Sequence, residues 1–197
     1  MSEPKEKPRI WRVIVAGVGG QGTVTLAQVL MEVATRSAYY ALQSEIHGMS
    51  QRGGMVYAYL CISAAPITSP IVMEATGDLL IGVEPLEAMR YVHLLRRDAP
   101  MVVSTERLET IDDYPAEDSL YESLRAIPGI VLVDTAAVVE RFRFKQAGGV
   151  ALLGVASRTL PFDVASWHAA LRDRFAAKGE RVVAKNLAAF DYGVALP

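Results

Sequence analysis

The chain has 197 residues, enough for one well-buried core, and 51% of them are hydrophobic against 21% charged, which excludes a disordered chain. Its 20 basic and 22 acidic residues nearly cancel, to a net charge of -2, so no strong field draws it to nucleic acid or to an anionic membrane. A lone cysteine, Cys61, excludes an intrachain disulfide framework and a cluster held by four cysteines of this chain, and fits a reducing cytoplasm.

Residues 1–9 are polar, lack the apolar stretch of a secretory signal, and are expected to form a flexible arm ahead of a single domain over 10–197. No run approaches the ~20 apolar residues of a membrane-spanning helix. Ile10–Ala16 is apolar at nearly every position, as a strand covered on both faces should be. It runs into Gly17-Val18-Gly19-Gly20-Gln21-Gly22, and Thr23–Arg36 then carries Leu26, Leu30 and Val33 at helical spacing. Tyr39–Glu45 reads as a second strand, followed by the polar run His47-Gly48-Met49-Ser50-Gln51-Arg52-Gly53-Gly54. In a parallel sheet, glycine loops after successive strands open on one crevice at the carboxyl ends.

Met55–Ile62 is rich in β-formers, and Ile67–Met73 suggests a further extended run in a hairpin-like excursion, with Pro66 and Pro70 placing it at a sheet edge. Asp78–Val83 is a buried strand, and Glu84-Pro85 opens a helix through Leu86, Met89, Val92 and Leu95. Met101–Ser104 and Ile130–Asp134 complete the strands, with the acidic, irregular Thr105–Ala116 between them. Asp134 and Thr135 can cap a helix to about Phe144. Beyond Gly149 the pattern is helical only: Val150–Arg158, Asp163–Lys178 and Arg181–Phe190, whose apolar stripes are core faces. The order predicts an α/β protein with a three-layer, Rossmann-like fold, a mostly parallel but mixed sheet and a helical C-terminal segment.

Glycines in a strand-to-helix turn let an anion approach the first helical N–H groups, a nucleotide phosphate being the usual guest. The spacing matches the dinucleotide fingerprint, and Glu45 stands roughly where an acidic ribose partner would. One reading is therefore a free-standing NAD(P)-binding oxidoreductase using Gly17, Gly19, Gly22 and Glu45; another is that the glycines only let the helix pack closely. A P-loop is excluded because Thr23 follows Gly22 where a lysine is required. In the second loop, His47, Ser50, Gln51 and Arg52 can grip a polar ligand, or the loop can serve as a subunit contact. Arg52 is the preferred anion contact, because a guanidinium holds a carboxylate or phosphate in two places. His93 and His168 read as surface or structural residues, and no zinc spacing or catalytic dyad is evident. Glu84 either faces the crevice or caps the helix that begins at Pro85.

Together the two loops, Gly17–Gly22 and Ser44–Gly54, resemble the paired motifs of the gamma domain of the 2-oxoacid:ferredoxin oxidoreductases. The resemblance continues through Ser69-Pro70, Glu84-Pro85-Leu86-Glu87-Ala88 and Asn186-Leu187-Ala188-Ala189-Phe190, and so covers most of the chain. The Glu45–Gly54 version is most similar to the beta subunit of the indolepyruvate enzymes. The resemblance implies a subunit, inactive alone, of an enzyme that decarboxylates a 2-oxoacid such as an arylpyruvate on thiamine diphosphate. Electrons pass through iron–sulfur clusters to ferredoxin, and the acyl group goes to coenzyme A. Thiamine diphosphate and [4Fe-4S] clusters then belong to a large partner subunit, because this chain has no thiamine motif and one cysteine. The candidate residues for the substrate or coenzyme A approach, or for docking the partner, are Gly17, Gly19, Gly20, Gln21, Gly22, Thr23, Glu45, His47, Gln51 and Arg52. No catalytic residue or metal ligand is assigned, and the isolated chain is expected to be able to form a homodimer.

Overall fold

The computed structural model describes residues 8–48 and 53–197, so residues 1–7 of the expected arm lie outside the described residues. β1 (Ile10–Val18) is apolar because it is buried on both sides: Val13 and Val15 enter one core, Ile14 and Ala16 the other. α1 (Thr23–Arg36) follows and lays Leu26, Leu30 and Val33 on the first core, as their spacing predicts. The chain returns as β2 (Tyr40–His47), turns, and runs back as β3 (Met55–Ser63). With β4 (Leu79–Gly82), β5 (Met101–Ser104) and β6 (Ile130–Val133), these strands form a 6-stranded sheet of order β2-β3-β1-β4-β5-β6.

β1, β4, β5 and β6 are parallel neighbours, whereas β3 is antiparallel to both β1 and β2. The expected mixed sheet is found, but the second strand is not the parallel neighbour of the first. The 48–54 connection is too short for the crossover that parallel neighbours need, so β2 and β3 pair as a hairpin and β3 takes the place beside β1. Both glycine loops nevertheless reach the same end of the sheet, because β2 runs in the direction of β1 with one strand between them.

α2 (Pro85–Met89) and α3 (Glu117–Arg125) cover the Ile14 face through Ala88, Leu120 and Leu124. α1, α4 (Thr135–Phe142), α5 (Ala147–Ser157), α6 (Val164–Ala176) and α7 (Glu180–Ala195) cover the other, giving three layers. α5 is apolar around its whole circumference, as a helix held between a sheet and an outer helix must be. Its buried Val150, Leu152, Leu153 and Val155 contribute roughly 1.5–3 kcal/mol each. It meets α7 where Gly154 faces Gly193, so closely that a Cβ on Gly154 would stand 2.9 Å from the Cα of Gly193.

Three other expectations change. Residues 67–73 form no strand; instead Val72 buries in the second core, and the Cys61 thiol donates to the Ile71 carbonyl at 3.9 Å. Pro66 and Pro70 therefore punctuate an irregular crossing rather than an edge strand. The helix after Pro85 stops at Met89 and continues as a 3-10 turn over Val92–Leu94. The bonds Tyr91 N–H to Ala88 (3.1 Å) and Leu94 N–H to Tyr91 (3.0 Å) tighten the chain so that Tyr91 and Leu94 both reach the core. α3 had no counterpart in the sequence reading, because only Leu120, Tyr121 and Leu124 mark its apolar face among charged residues. Among the described residues, no helix is long and apolar enough to cross a membrane.

Candidate functional site

The first loop is closed by the side chain it carries. Val18 N–H donates to the Gln21 Oε1 at 2.8 Å, and Gln21 N–H to the Val18 carbonyl at 3.2 Å, so Gln21 folds back over its own turn. Gly22 then takes φ 91° and ψ 13°, a left-handed conformation that a side chain would resist, and α1 begins at Thr23 with no side-chain cap. Its first N–H groups are consequently left without a side-chain acceptor, the ordinary condition for holding an anion. Thr23 is 2% exposed and its hydroxyl has no partner among the described residues. Gly17 is obligatory beneath it, since a Cβ there would lie 2.6 Å from the Thr23 Oγ1.

The second loop joins the first through the backbone: Gly19 N–H donates to the Gly54 carbonyl at 2.8 Å. Gly48 N–H to the Met55 carbonyl, also 2.8 Å, closes the hairpin at its base. An open groove of about 680 Å³ lies between the loops, lined by Gly19, Gly20, Gly22 and Thr23 on one side and His47 and Gly48 on the other. Ser50, Gln51 and Arg52 lie outside the described residues.

Glu45 is placed differently. It pairs across the hairpin with Ala58, which pairs with Val15, so it is two strand spacings from β1, about 10 Å. Its carboxylate accepts a hydrogen bond from Gln43 and lies 3.5 Å from the His47 Nε2. A dinucleotide site would need an acidic residue on the strand adjacent to β1, and that place is held by β3.

On the inner side of the first loop is a cavity of about 220 Å³, reached by Gly20, Gln21 and Gly22 and walled by Ser104, Glu106, Thr135, Lys145, Gln146 and Gly148. Ser104 and Thr135, both buried, share a hydroxyl–hydroxyl bond of 2.6 Å; Glu106 N–H donates to the Ser104 Oγ at 2.8 Å. Along the sequence Ser104 is only a strand end and Thr135 only a cap. The available signal was that a hydroxyl ends or follows each of two neighbouring apolar strands, at their carboxyl ends, where ligands bind in open α/β sheets.

Glu84 fulfils the capping reading and adds an anchor. It is 1% exposed; its Oε2 accepts from Glu87 N–H at 2.7 Å, while its Oε1 accepts from the Tyr114 hydroxyl and, at 3.4 Å, from Leu108 N–H. Burial and then this carboxylate push the Tyr114 hydroxyl well above its ordinary range. His168 bonds Asp191 at 2.6 Å and ties α6 to α7, a structural role, while His93 lies exposed on the 3-10 turn, a surface residue. Among the described residues, no group of three or more His, Cys, Asp or Glu side chains is placed to hold a metal ion.

Glu87, 8% exposed, receives Arg90 Nε at 3.1 Å on one oxygen and nothing on the other. Burial raises its carboxyl above the usual range against the pull of Arg90, with Glu84 adding to the rise. The ionised form is therefore worse off in the folded chain than in the unfolded one. Its contribution is fully present below the unfolded value of about 4.3 and is lost as pH rises through the higher folded value. Glu87→Gln is expected to raise the Tm at pH 7 and to lose that advantage near pH 4; thermal unfolding at both pH values measures it, and an offset independent of pH would refute the assignment.

The family described as Pyruvate ferredoxin/flavodoxin oxidoreductase matches residues 12–196. Indolepyruvate oxidoreductase subunit IorB of Archaeoglobus fulgidus is 28% identical over 92% of this chain and 92% of its own length. The Pyruvate/ketoisovalerate oxidoreductases common subunit gamma of Pyrococcus abyssi is 28% identical over 84% of this chain and 87% of its own. Among solved structures, pyruvate oxidoreductase subunit PORC from Thermotoga maritima superposes with a TM-score of 0.67 at 16% identity, covering 94% of this chain and 95% of that one. The 2-oxoglutarate:ferredoxin oxidoreductase from Magnetococcus marinus, with 2-oxoglutarate, coenzyme A and succinyl-CoA bound, gives 0.75 at 20%, covering 96% of this chain but 31% of that one. At these identities the structural matches establish the shared fold.

Proposed function

Because the chain belongs to the pyruvate ferredoxin/flavodoxin oxidoreductase family, and is thus part of a 2-oxoacid:ferredoxin oxidoreductase, we propose that it is the small subunit of an indolepyruvate-type enzyme. In this reading a large partner subunit carries thiamine diphosphate and the iron–sulfur clusters, ferredoxin takes the electrons, and this chain is inactive alone. It acts in the cytoplasm, in keeping with its free, buried Cys61. Its single cysteine cannot supply the four thiolates of a cluster, which is why the partner must.

The groove between the two loops forms one wall of the approach taken by coenzyme A or the 2-oxoacid. The observation that carries this is the uncapped start of α1 beside the unpartnered, buried hydroxyl of Thr23. An orphaned hydroxyl costs stability until something accepts from it, and a phosphate or carboxylate at the helix start would do so. Gly19, Gly20, Gly22 and His47 line the same groove.

The test is Thr23→Val in the complex reconstituted with its large partner. A hydrogen bond to a charged group contributes about 1.5–3 kcal/mol, so kcat/KM for coenzyme A or for the arylpyruvate is expected to fall roughly 10- to 100-fold with assembly intact. The free chain, relieved of an orphaned hydroxyl, is expected to melt no lower than the parent. Unchanged kinetics for both co-substrates would remove the groove from the reaction.

A further inference from the structure

β2 is an outer strand of the sheet, paired with β3 alone, and it carries none of the devices that keep a free edge from pairing further. It is 8 residues long, its register with β3 runs from Tyr40 to His47 without a bulge, and it contains no proline, lysine or arginine. The opposite edge, β6, is guarded by being only 4 residues long.

The hairpin shows which backbone groups of β2 are free. Gly48 N–H donates to the Met55 carbonyl, so position 48 turns its groups towards β3 and, by alternation, so do Ile46, Ser44, Leu42 and Tyr40. Ala41, Gln43, Glu45 and His47 therefore turn N–H and C=O outwards, and among the described residues no backbone group of another segment meets them. The side chains alternate too. Ala41 pairs with Ile62 and Gln43 with Leu60, both in the core under α1, so Tyr40, Leu42, Ser44 and Ile46 share the other face. On that face Tyr40 is 51% and Ile46 36% exposed, and the two stand equally far on either side of Gln43.

That symmetry names the occupant. A two-fold axis through Gln43 sets outward groups against outward groups: Gln43 exchanges bonds with its mate, and Ala41 with Glu45 of the second copy. The same axis lays Tyr40 of one copy beside Ile46 of the other, an aromatic on a β-branched side chain. An axis through Ser44 would also align outward groups, but it leaves Tyr40 against Gly48 and brings the two Glu45 carboxylates to about 8 Å. Through Gln43 they stay about 14 Å apart, beyond the screening length of ~8 Å, and each faces a neutral alanine. Glu45 is the only carboxylate of the strand, so it decides the register.

We propose that β2 binds a second copy of this chain, the two strands pairing antiparallel about Gln43 so that the two sheets become one. His47 and Gly48, which line the groove between the loops, lie beyond the Tyr40–Ile46 pairs, at opposite ends of the seam, and each copy keeps its groove open.

Sedimentation equilibrium of the full chain tests the seam. Pairing one strand edge buries no more than about 1,200 Å², the low end for specific contacts, so a dimer with a micromolar dissociation constant is expected. Gln43→Pro removes an outward N–H and no bond to β3, and Tyr40→Lys changes an exposed side chain; each is expected to weaken the dimer at least 10-fold. Adding Ile46→Glu to Tyr40→Lys sets opposite charges across the seam and is expected to restore affinity to within about 3-fold of the parent. A parent chain still monomeric at about 0.5 mM, a dimer indifferent to Gln43→Pro, or a double variant no tighter than Tyr40→Lys would each overturn the proposal. So would Gln43→Pro abolishing capture of the large partner subunit while the parent chain alone stays monomeric, which would give the edge to that subunit.

Discussion

Gly193→Ala is expected to destabilise the whole chain by roughly 3 kcal/mol, the upper end of the usual range for overpacking a core. The added Cβ would stand 2.8 Å from the Ala151 carbonyl carbon and 2.9 Å from its Cα. Those are backbone atoms of α5, and α5 in turn rests on the sheet through Leu152 and Leu153, so neither helix can retreat without opening the main core. Helix propensity favours alanine by ~1 kcal/mol, too little to offset the clash. Gly149→Ala is the matched control. Its Cβ would meet the Leu26 Cδ1 at 3.3 Å, the far end of a flexible side chain, so the propensity gain and the crowding nearly cancel. Denaturant unfolding of both variants measures the difference, and equal losses would mean that the α5–α7 approach is not the tight contact argued for.

That contact was not legible in the sequence, because Gly154 and Gly193 lie in different helices and spacing along the chain does not reveal which helices cross. β1 was legible, since burial on both faces imposes an unbroken apolar run, and so was the first loop, since Gly20 and Gly22 both have positive φ. The partner of β1 was not. The short 48–54 connection argues for a hairpin between β2 and β3, but nothing local says that the hairpin docks through β3 rather than β2. Glu45 inherited that error: its spacing from the glycines fits a dinucleotide site only if β2 adjoins β1. The hydroxyls of Ser104 and Thr135 come together from separate elements that the sheet order and helix packing alone align. A residue such as Thr23 is ordinary in the sequence and acquires meaning only from a burial that leaves its hydroxyl without an acceptor.

Glu84→Ala is expected to cost about 3 kcal/mol and to act first on the segment that the carboxylate anchors. Losing the cap on Glu87 N–H accounts for ~0.5–2 kcal/mol. The remainder comes from the Tyr114 hydroxyl and Leu108 N–H, which lose their acceptor in a part-buried setting where an unsatisfied donor costs ~1–3 kcal/mol. Residues 105–116 have no helix or strand of their own; their other tethers sit at the start of the segment, in the Thr105 N–H on the Val133 carbonyl, the Tyr121 hydroxyl on the Thr105 carbonyl, the Glu106 bonds to Ser104 and Thr135, and the Arg107 pair with Glu117. With Glu84 gone, that stretch is expected to open below the global unfolding free energy, and amide exchange between Glu106 and Tyr114 to speed up while β4 and β5 stay protected. Glu84→Gln retains an acceptor for Glu87 N–H but turns an amide donor towards Tyr114, so it should show the loop opening with a smaller global loss. Because Glu106 lines the inner cavity, release of this segment would loosen one of its walls. Exchange rates at 106–114 equal to those of the parent in Glu84→Ala would show that the segment is held by something other than the buried carboxylate at its base.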